Sequence, residues 1–521
     1  MTLVLITALV IGVGIALIMA AKKRTSPLPP GPKGLPLIGS INAFPPQGVA
    51  PWEYWLKHKD LYGPISSVTA WGTTLIILNS HELASELFEK RSKIYSTRPR
   101  GVFGGEMVGW GKNLALLPYD KVYRAHRKRI HMMVGTEMAA LRYLPFQVTG
   151  VHQFLFSVLQ EPDKLLEHVR SDSAAVFLKM IYGYTVDSSK PDPLVALVTE
   201  STALFSDALV PGGWLVDMIP ALRYIPEWVP GTGFKKIAKA WRACVTETVE
   251  KPFRFARRRI IKGEDENSYV ADFGSVLSPE DEDIVKWTAV TLYAAGADTI
   301  ASTATTFFAA MVRYPELQRK AQEEIDRVIG SGRLPELGDR DQLPYINAIV
   351  TETWRWQPML RLGIPHATSA DDVVNGYYIP KGSVVTTNIW WYTHDPDVYP
   401  NPSVFDPSRF LGANPCPDPR DHVFGYGRRI CPGRYFADAF IWLIIAQSLA
   451  VFDISKPFGE IEEPQTEEPA VYITGGINAH LAPFKATVKP RSSQHEALIR
   501  EVEALHPREK SSADELESIV I

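Results

Sequence analysis

The chain has 521 residues, of which 45% are hydrophobic and 22% charged, with a formal net charge of −3. That length supports a sizeable core, and the lack of a basic excess argues against a nucleic-acid binder. Three cysteines, Cys244, Cys416 and Cys431, are too few for a disulfide framework or a four-cysteine iron–sulfur cluster. The candidate glycosylation triplet Asn401-Pro402-Ser403 is blocked by its proline, which, with the scarcity of cysteine, suits a domain facing the cytosol.

Residues 1–21 are almost entirely apolar and are followed at once by Lys22, Lys23 and Arg24. About 20 apolar residues span a bilayer as a helix, and the positive flank stays cytosolic. A retained transmembrane anchor is therefore expected; a cleaved signal peptide is the weaker alternative, since no cleavage region follows. Residues 22–40 form a basic flank and a proline-rich hinge, Pro27 to Pro36, expected to act as a stiff spacer. Ile65–Trp71 and Thr73–Leu78 read as a hairpin around Gly72. Helical patterns dominate after residue 80: Glu82–Arg91, then stretches through 140–210 and 235–262, a charged surface loop over Lys262–Glu282, and a long apolar helix from about Ile284 to Val312. Short strands return at Val373–Ile379, Val384–Thr387 and near Ala470–Thr474. The pattern predicts one large, mainly α domain with small β-sheets over 41–490, behind the transmembrane helix. The charged segment 491–521 is expected to be a solvated tail, although Leu498, Val502 and Leu505 have helical spacing.

The most informative stretch is Phe424-Gly425-Tyr426-Gly427-Arg428-Arg429-Ile430-Cys431-Pro432-Gly433. It sets one cysteine in a glycine-rich, basic loop ahead of an apolar helix beginning near Arg434. Gly427 and Gly433 are expected to allow close approach or positive φ, and Arg429 is placed to meet a carboxylate. A free cysteine is most often a small buried hydrophobe. Here five positions fit Phe-x-x-Gly-x-Arg-x-Cys-x-Gly, and a single protein thiolate is what haem iron takes. The stretch resembles the cytochrome P-450 family of haem-thiolate monooxygenases at every fixed position, Phe424 and Gly433 included. The resemblance implies the cytochrome P-450 fold, haem b with Cys431 as axial ligand, dioxygen as substrate, and electrons from NADPH through a separate flavoprotein reductase, a cytochrome b-type donor being the alternative.

Other motifs follow in the family's order. Ala295-Gly296-Ala297-Asp298-Thr299 lies in the long apolar helix. Gly296 costs about 1 kcal/mol against alanine there and is expected to admit a flat cofactor. By resemblance Thr299 hydrogen-bonds bound oxygen and Asp298 delivers protons, though the next residue is Ile300 where the family usually has Ser or Thr. An Asp-Thr pair taken alone is more often a helix start or a surface pair. Glu352-Thr353-Trp354-Arg355 matches the family's Glu-x-x-Arg. Glu167–Arg170, Glu316–Arg319 and Glu324–Arg327 have the same spacing and are read as ordinary surface pairs. Order selects Glu352, because it follows Asp298-Thr299 and precedes Phe405-Asp406-Pro407-Ser408-Arg409-Phe410; Glu352, Arg355 and Arg409 are then a structural network. Tyr123 and Arg127 lie at i and i+4 on one helix face, where the family has Trp-x-x-x-Arg, and are candidates for a haem propionate; the bland reading is a basic solvated face. His366 matches a position that often contacts a propionate, although a lone histidine is more often structural.

Arg124, Arg127, Lys128, Arg129, Arg428 and Arg434 form a basic set suited to an acidic electron donor. Cys416 and Cys244 are read as structural and core. By resemblance the substrate walls include Phe103, Trp110, Phe205, Leu292, Met359, Leu362 and Ile473, with Arg361 or Asp207 as conceivable charged anchors. The whole sequence looks like fungal secondary-metabolism enzymes of the O-methylsterigmatocystin oxidoreductase-like and tryptamine-hydroxylase-like kind. That resemblance implies an apolar substrate, a terpenoid before an aromatic, polyketide or tryptamine-type one, and a single-pass protein of the endoplasmic reticulum. Rival classes are a haem-thiolate isomerase or dehydratase that uses no dioxygen, and a non-catalytic haem or lipid binder.

Overall fold

A computed structural model describes residues 26–35, 38–46, 48–187, 190–210, 212–274, 276–457, 471–473 (backbone), 477–519 and 521. The expected anchor, residues 1–21, lies outside the described residues.

A small sheet and a large helical body divide the molecule. The hairpin is present: β1 (Ile65–Ala70) and β2 (Thr73–Leu78) pair antiparallel, with Trp71 (φ 49°) and Gly72 (φ 80°) making the two-residue turn. β3 (His366–Ala367) and β6 (Val384–Thr387) complete the order β1-β2-β6-β3, with β2 and β6 parallel. Side chains alternate across the sheet. Val68, Leu75 and Ile77 pack with Trp55 on one face, and Ile65, Ile76 and Leu78 pack with Leu87 and Phe88 on the other. Burial on both faces explains why β2 reads as a continuous apolar run. The strand expected at 373–379 is instead a hairpin, β4 (Asp372–Val374) and β5 (Tyr377–Ile379), because Asn375 (φ 51°) and Gly376 (φ 81°) supply the left-handed turn.

The described part of the hinge is not a free spacer. The carbonyls of Pro29 and Pro30 accept from Ser67 (2.6 and 2.9 Å), and that of Pro27 accepts from Tyr378 N (2.7 Å). A proline run has few donors but keeps its carbonyls, so it docks against neighbours that have donors to give.

The longer helices are α1 (Pro51–Tyr62), α2 (Lys121–Val134), α3 (Leu144–Gln160), α4 (Leu165–Tyr182), α5 (Pro193–Ala208), α6 (Gly233–Lys262), α7 (Pro279–Arg313), α8 (Pro315–Val328), α9 (Pro344–Trp356), α10 (Arg434–Val451) and α11 (Ser493–Leu505). The central α7 starts five residues before the apolar pattern. Ser278 caps it by accepting from Asp281 N, and Glu280, Asp281 and Glu282 fill its first turn. It is buried against α4, α10 and α9. α10 is apolar and long enough to cross a membrane, but most of it is buried inside the protein, so it is a core helix.

The C-terminal segment corrects the expected tail. α11 buries Leu498, Ile499 and Val502 in the main core, and Leu516 is 2% exposed. Their helical spacing marks an amphipathic helix whose apolar stripe outweighs the surrounding charge.

β7 (Phe452–Ser455) pairs with β10 (Thr487–Pro490), and β8 (Val471–Ile473) with β9 (Ala479–Leu481). The β8–β9 hairpin reaches the middle of α7.

Candidate active site around Cys431

The cysteine loop is built from three local constraints. Gly425 (φ 75°) and Gly427 (φ 51°) adopt left-handed conformations, and a Cβ on Gly427 would lie 2.2 Å from the Phe88 carbonyl oxygen. Cys431 N donates to Phe424 O (2.8 Å), and the Phe424 ring packs on Trp354. Gly433 N–H donates to the sulfur. Gly433 itself has φ −91° and open space where a Cβ would go, so within the protein neither close approach nor positive φ requires glycine there. Burial pushes the Cys431 thiol up, while the Gly433 amide, Arg127 and Arg434 pull it back down.

Arg429 sits beside this loop and is held by three carbonyls, Ser96 (2.7 Å), Leu114 (3.2 Å) and Leu117 (2.6 Å), with its guanidinium 3.8 Å from the Tyr123 ring centroid. Arg98, which the motif reading passed over, meets it from the opposite strand of chain. It donates to Ala115 O (2.8 Å), Ile364 O (2.6 Å) and Pro365 O (2.8 Å). Burial, then Arg429, push Arg98 down to about 9; burial, then Arg127, push Arg429 down to about 10 despite Tyr123. His366 joins them. Its Nδ1–H donates to Tyr95 O (2.7 Å), and burial with the Arg98 charge holds it far below its usual range. The neutral ring therefore carries its lone pair on Nε2. Among the described residues neither Arg98 nor Arg429 forms an ion pair with a carboxylate.

Tyr123 takes a different part from the one expected. Its hydroxyl donates to Arg428 O (2.8 Å), so it braces the cysteine loop rather than offering its proton to a cofactor. Arg127 is close enough to act on both Arg429 and Cys431.

On α7, Gly296 makes room for Phe177 of α4, not for a cofactor: a Cβ there would lie 2.2 Å from that ring. Thr299 Oγ donates back to Ala295 O (2.8 Å) and approaches Gly296 O (3.3 Å). Asp298 faces the β8–β9 hairpin, accepting from Asn478 Nδ2 (3.3 Å) with His480 Nε2 at 3.7 Å. Burial pushes its carboxyl up, while His480, Arg170 and Asn478 pull it back.

Cys431, Arg98, Arg429 and Asp298 lie deep within the protein, yet each keeps accessible surface, and Ala295 is open in mid-helix. Accessible surface at that depth means an interior space. Groups available to it are one thiol, two buried guanidiniums that pair with no carboxylate among the described residues, and the exposed Ala295 of the continuous helix α7. Burying charge without compensation is costly. A flat, dianionic metal cofactor that accepts a thiolate supplies what is missing, and haem with its two propionates has those properties.

Glu352, Arg355 and Arg409 come together as a closed network. Arg355 clamps both carboxylate oxygens of Glu352 (2.7 Å each), and Arg409 Nε (3.2 Å) and Asp406 N (2.8 Å) also donate to Oε1. Further guanidinium hydrogens go to Thr393 O, Val404 O and Pro400 O. Of the same-spacing decoys, Glu324 is buried, not a surface residue: it accepts from Tyr345 N and Ile346 N at the start of α9. Arg361 is sandwiched between Trp52 and Trp390 (4.3 and 4.0 Å) and 3% exposed, which removes it as a substrate anchor. Arg124, Lys128 and Arg428 are exposed, whereas Arg129 pairs with Asp281 and Arg434 lies on Tyr435.

The family model for Cytochrome P-450 matches residues 29–478. Cytochrome P-450 monooxygenase claR of Ampulloclitocybe clavipes is 44% identical over 95% of this chain and 92% of its own length. Cytochrome P-450 monooxygenase CLM2 of Gibberella zeae is 41% identical over the whole of both chains. O-methylsterigmatocystin oxidoreductase of Aspergillus flavus is 37% identical over 96% of this chain and 94% of its own length. The chain belongs to the cytochrome P-450 family, as a haem-dependent monooxygenase of the fungal secondary-metabolism type that draws its electrons from a reductase.

Proposed function

We propose that this protein inserts one oxygen atom of dioxygen into an apolar secondary-metabolite precursor, with a terpenoid scaffold as the preferred substrate class. The observation that carries this reading is the deeply placed Arg98–Arg429 pair, which has no carboxylate partner among the described residues and lies near the Cys431 thiol through Arg127. Haem supplies the thiolate-ligated iron at which dioxygen is activated.

The chain supplies the rest. Cys431 would ligate the haem iron, with the Gly433 amide and Arg127 stabilising its thiolate. Arg429, Arg98 and Arg127 neutralise the propionates. His366, with Nδ1–H held by Tyr95 O, would donate to them from Nε2 only as the imidazolium, which an adjacent carboxylate would favour. Phe424 packs beside the loop and Tyr123 holds it from beneath. Thr299 orients the oxygen-side hydrogen bonding, and Asp298 delivers protons. Per turnover, substrate, dioxygen, two electrons and two protons give hydroxylated product and water. NADPH provides the electrons through a flavoprotein reductase, for which exposed Arg124, Lys128 and Arg428 form the docking charge. Residues 1–21 anchor the protein in the endoplasmic reticulum membrane with the catalytic domain in the cytosol.

Support for an apolar substrate comes from the wall candidates. Phe205 and Leu362 keep accessible surface, whereas Phe103, stacked on Trp214 (3.5 Å), and Trp110, packed on Phe205 (5.2 Å), are buried in the core and face no opening. Aromatic, polyketide and tryptamine-type substrates fit the same lining.

The deciding experiment is the absorption spectrum of the ferrous, carbon-monoxide-bound protein, wild type and Cys431→Ser. A red-shifted Soret band lost on substitution supports thiolate ligation by Cys431; a band retained by Cys431→Ser overturns it. Turnover that continues without reductase and dioxygen would point to an isomerase instead.

A further inference from the structure

We propose that His480, held with Asn478 on the β8–β9 hairpin, is the group that resupplies protons to Asp298, and that Asn478 is a positioning residue for that carboxylate. The inference rests on the monooxygenase reading above and adds to it a source for the two protons each turnover consumes.

The geometry is specific. His480 Nε2 lies 3.7 Å from Asp298 Oδ2, and Asn478 Nδ2 donates to the same oxygen at 3.3 Å. About a third of each of the His480 and Asp298 side chains is accessible, so the pair is neither sealed in the core nor free in solvent. The hairpin is fixed at this point by two further bonds, from Asn478 N to Ser206 Oγ on α5 (3.1 Å) and from Ala479 N to Met359 O (2.9 Å). Ser206 is 1% exposed, so its side of the anchor is rigid. The other charge felt by the carboxylate is Arg170 of α4, which is exposed and permanently protonated, and so stabilises the anion without being able to pass a proton. Imidazole is the neighbouring group that exchanges protons near neutrality.

Proton transfer runs in one direction. The His480 imidazolium gives its Nε2 proton to the Asp298 carboxylate through one bridging water, because 3.7 Å is too long for direct transfer; the acid passes it along α7 to the Thr299 side, and His480 is reprotonated from water. No oxidant or reductant enters this step. Burial already favours the protonated carboxyl of Asp298, which makes it a competent acceptor from an imidazolium. Asn478 cannot carry a proton. Its amide fixes Oδ2 toward the hairpin, so Asn478→Ala leaves the donor present but the acceptor mispositioned.

Two readouts test this on the full-length protein. In selectively ¹³C-histidine-labelled protein, the resonance missing from His480→Gln identifies His480. At fixed pH its ring chemical shift is expected to change in Asp298→Asn; an unmoved resonance overturns the pairing, whether or not the protein carries haem. In protein reconstituted with reductase and without added substrate, His480→Gln is expected to slow NADPH consumption about tenfold and at least double the H2O/D2O rate ratio, with Asn478→Ala intermediate. A slowed rate with an unchanged isotope ratio indicates a merely structural role and sinks the proposal. The carbon-monoxide band should be unchanged in both variants. Absence of that band from the wild type would instead defeat the haem-thiolate reading, and the NMR comparison would still decide the His480–Asp298 pair.

Discussion

Two buried arginine clusters in this molecule are built from similar parts and are opposite in kind. At Glu352–Arg355–Arg409 the side chains are 0%, 0% and 5% exposed, and both carboxylate oxygens and most guanidinium hydrogens are matched within the protein. At Arg98–Arg429–His366 the guanidiniums satisfy only backbone carbonyls, each pushes down the pKa of a neighbour, and surface remains open at depth. The first is complete as folded. The second lacks an anion, so on the proposed reading one cluster serves folding and the other cofactor binding.

Breaking the complete cluster should have the largest effect. Glu352→Gln removes the charge that compensates two buried guanidiniums, which costs about 3–5 kcal/mol. Thermal melts should fall with and without haem, and the soluble yield should drop. A Glu352→Gln protein melting near wild type would mean that the carbonyls of Thr393, Val404 and Pro400 alone suffice for the arginines.

The incomplete cluster should respond in the opposite way. Arg98→Met removes a deeply placed, unpaired charge and orphans three carbonyls. Relief of the charge, several kcal/mol, and the lost hydrogen bonds, about 1 kcal/mol each, offset one another. The haem-free protein should therefore melt close to wild type, while haem affinity falls about tenfold or more. Retained affinity, measured by transfer of haem to an apo-globin acceptor, would remove Arg98 from the site. Arg100, two residues on, is the control. It is exposed and pairs with Glu106, and its substitution should leave haem retention unchanged.

That pair of arginines also shows how far the sequence could be read. The Cys431 loop and the Glu352 network are legible because their residue types are tied to fixed local spacings. Arg98 was not, since nothing local separates it from Arg100; only chain crossing at Ala115 and Ile364–Pro365 makes one deep and the other exposed. Tyr123 was misread for the same reason, because its partner, Arg428 O, is 305 residues away. Gly296 was correctly marked as needing an explanation, but the crowding ring comes from Phe177 on another helix. The apolar stripe of α11 is written beneath a charged composition that argues for a solvated tail, whereas Asn375-Gly376 is a local hairpin signal in its own right. In the fold, helix content and the β1–β2 hairpin followed from periodicity, while the pairing of β2 with β6 spans about 300 residues and has no local signature.

A smaller effect sharpens the comparison through pH. His366 is held well below its usual value near 6.5 by burial and by the Arg98 charge, so the folded, haem-free protein keeps it neutral while the unfolded chain protonates it below that value. The unfolded state then binds more protons, and stability is lost as pH falls through the usual histidine range, by at most about 1.4 kcal/mol per pH unit for this one group. His152 and His422, both lowered to about 4, and His394 add slopes of the same sign, so the measurement must be a difference. His366→Asn should flatten the acid limb of the haem-free protein by up to that amount between about pH 6 and 5. In the haem-loaded protein the propionates offer His366 a counter-charge, its folded pKa rises, and the same substitution should change the slope less. Equal slopes in the two forms would mean that His366 does not sense the cofactor's carboxylates, and that the incomplete cluster ends at the two arginines.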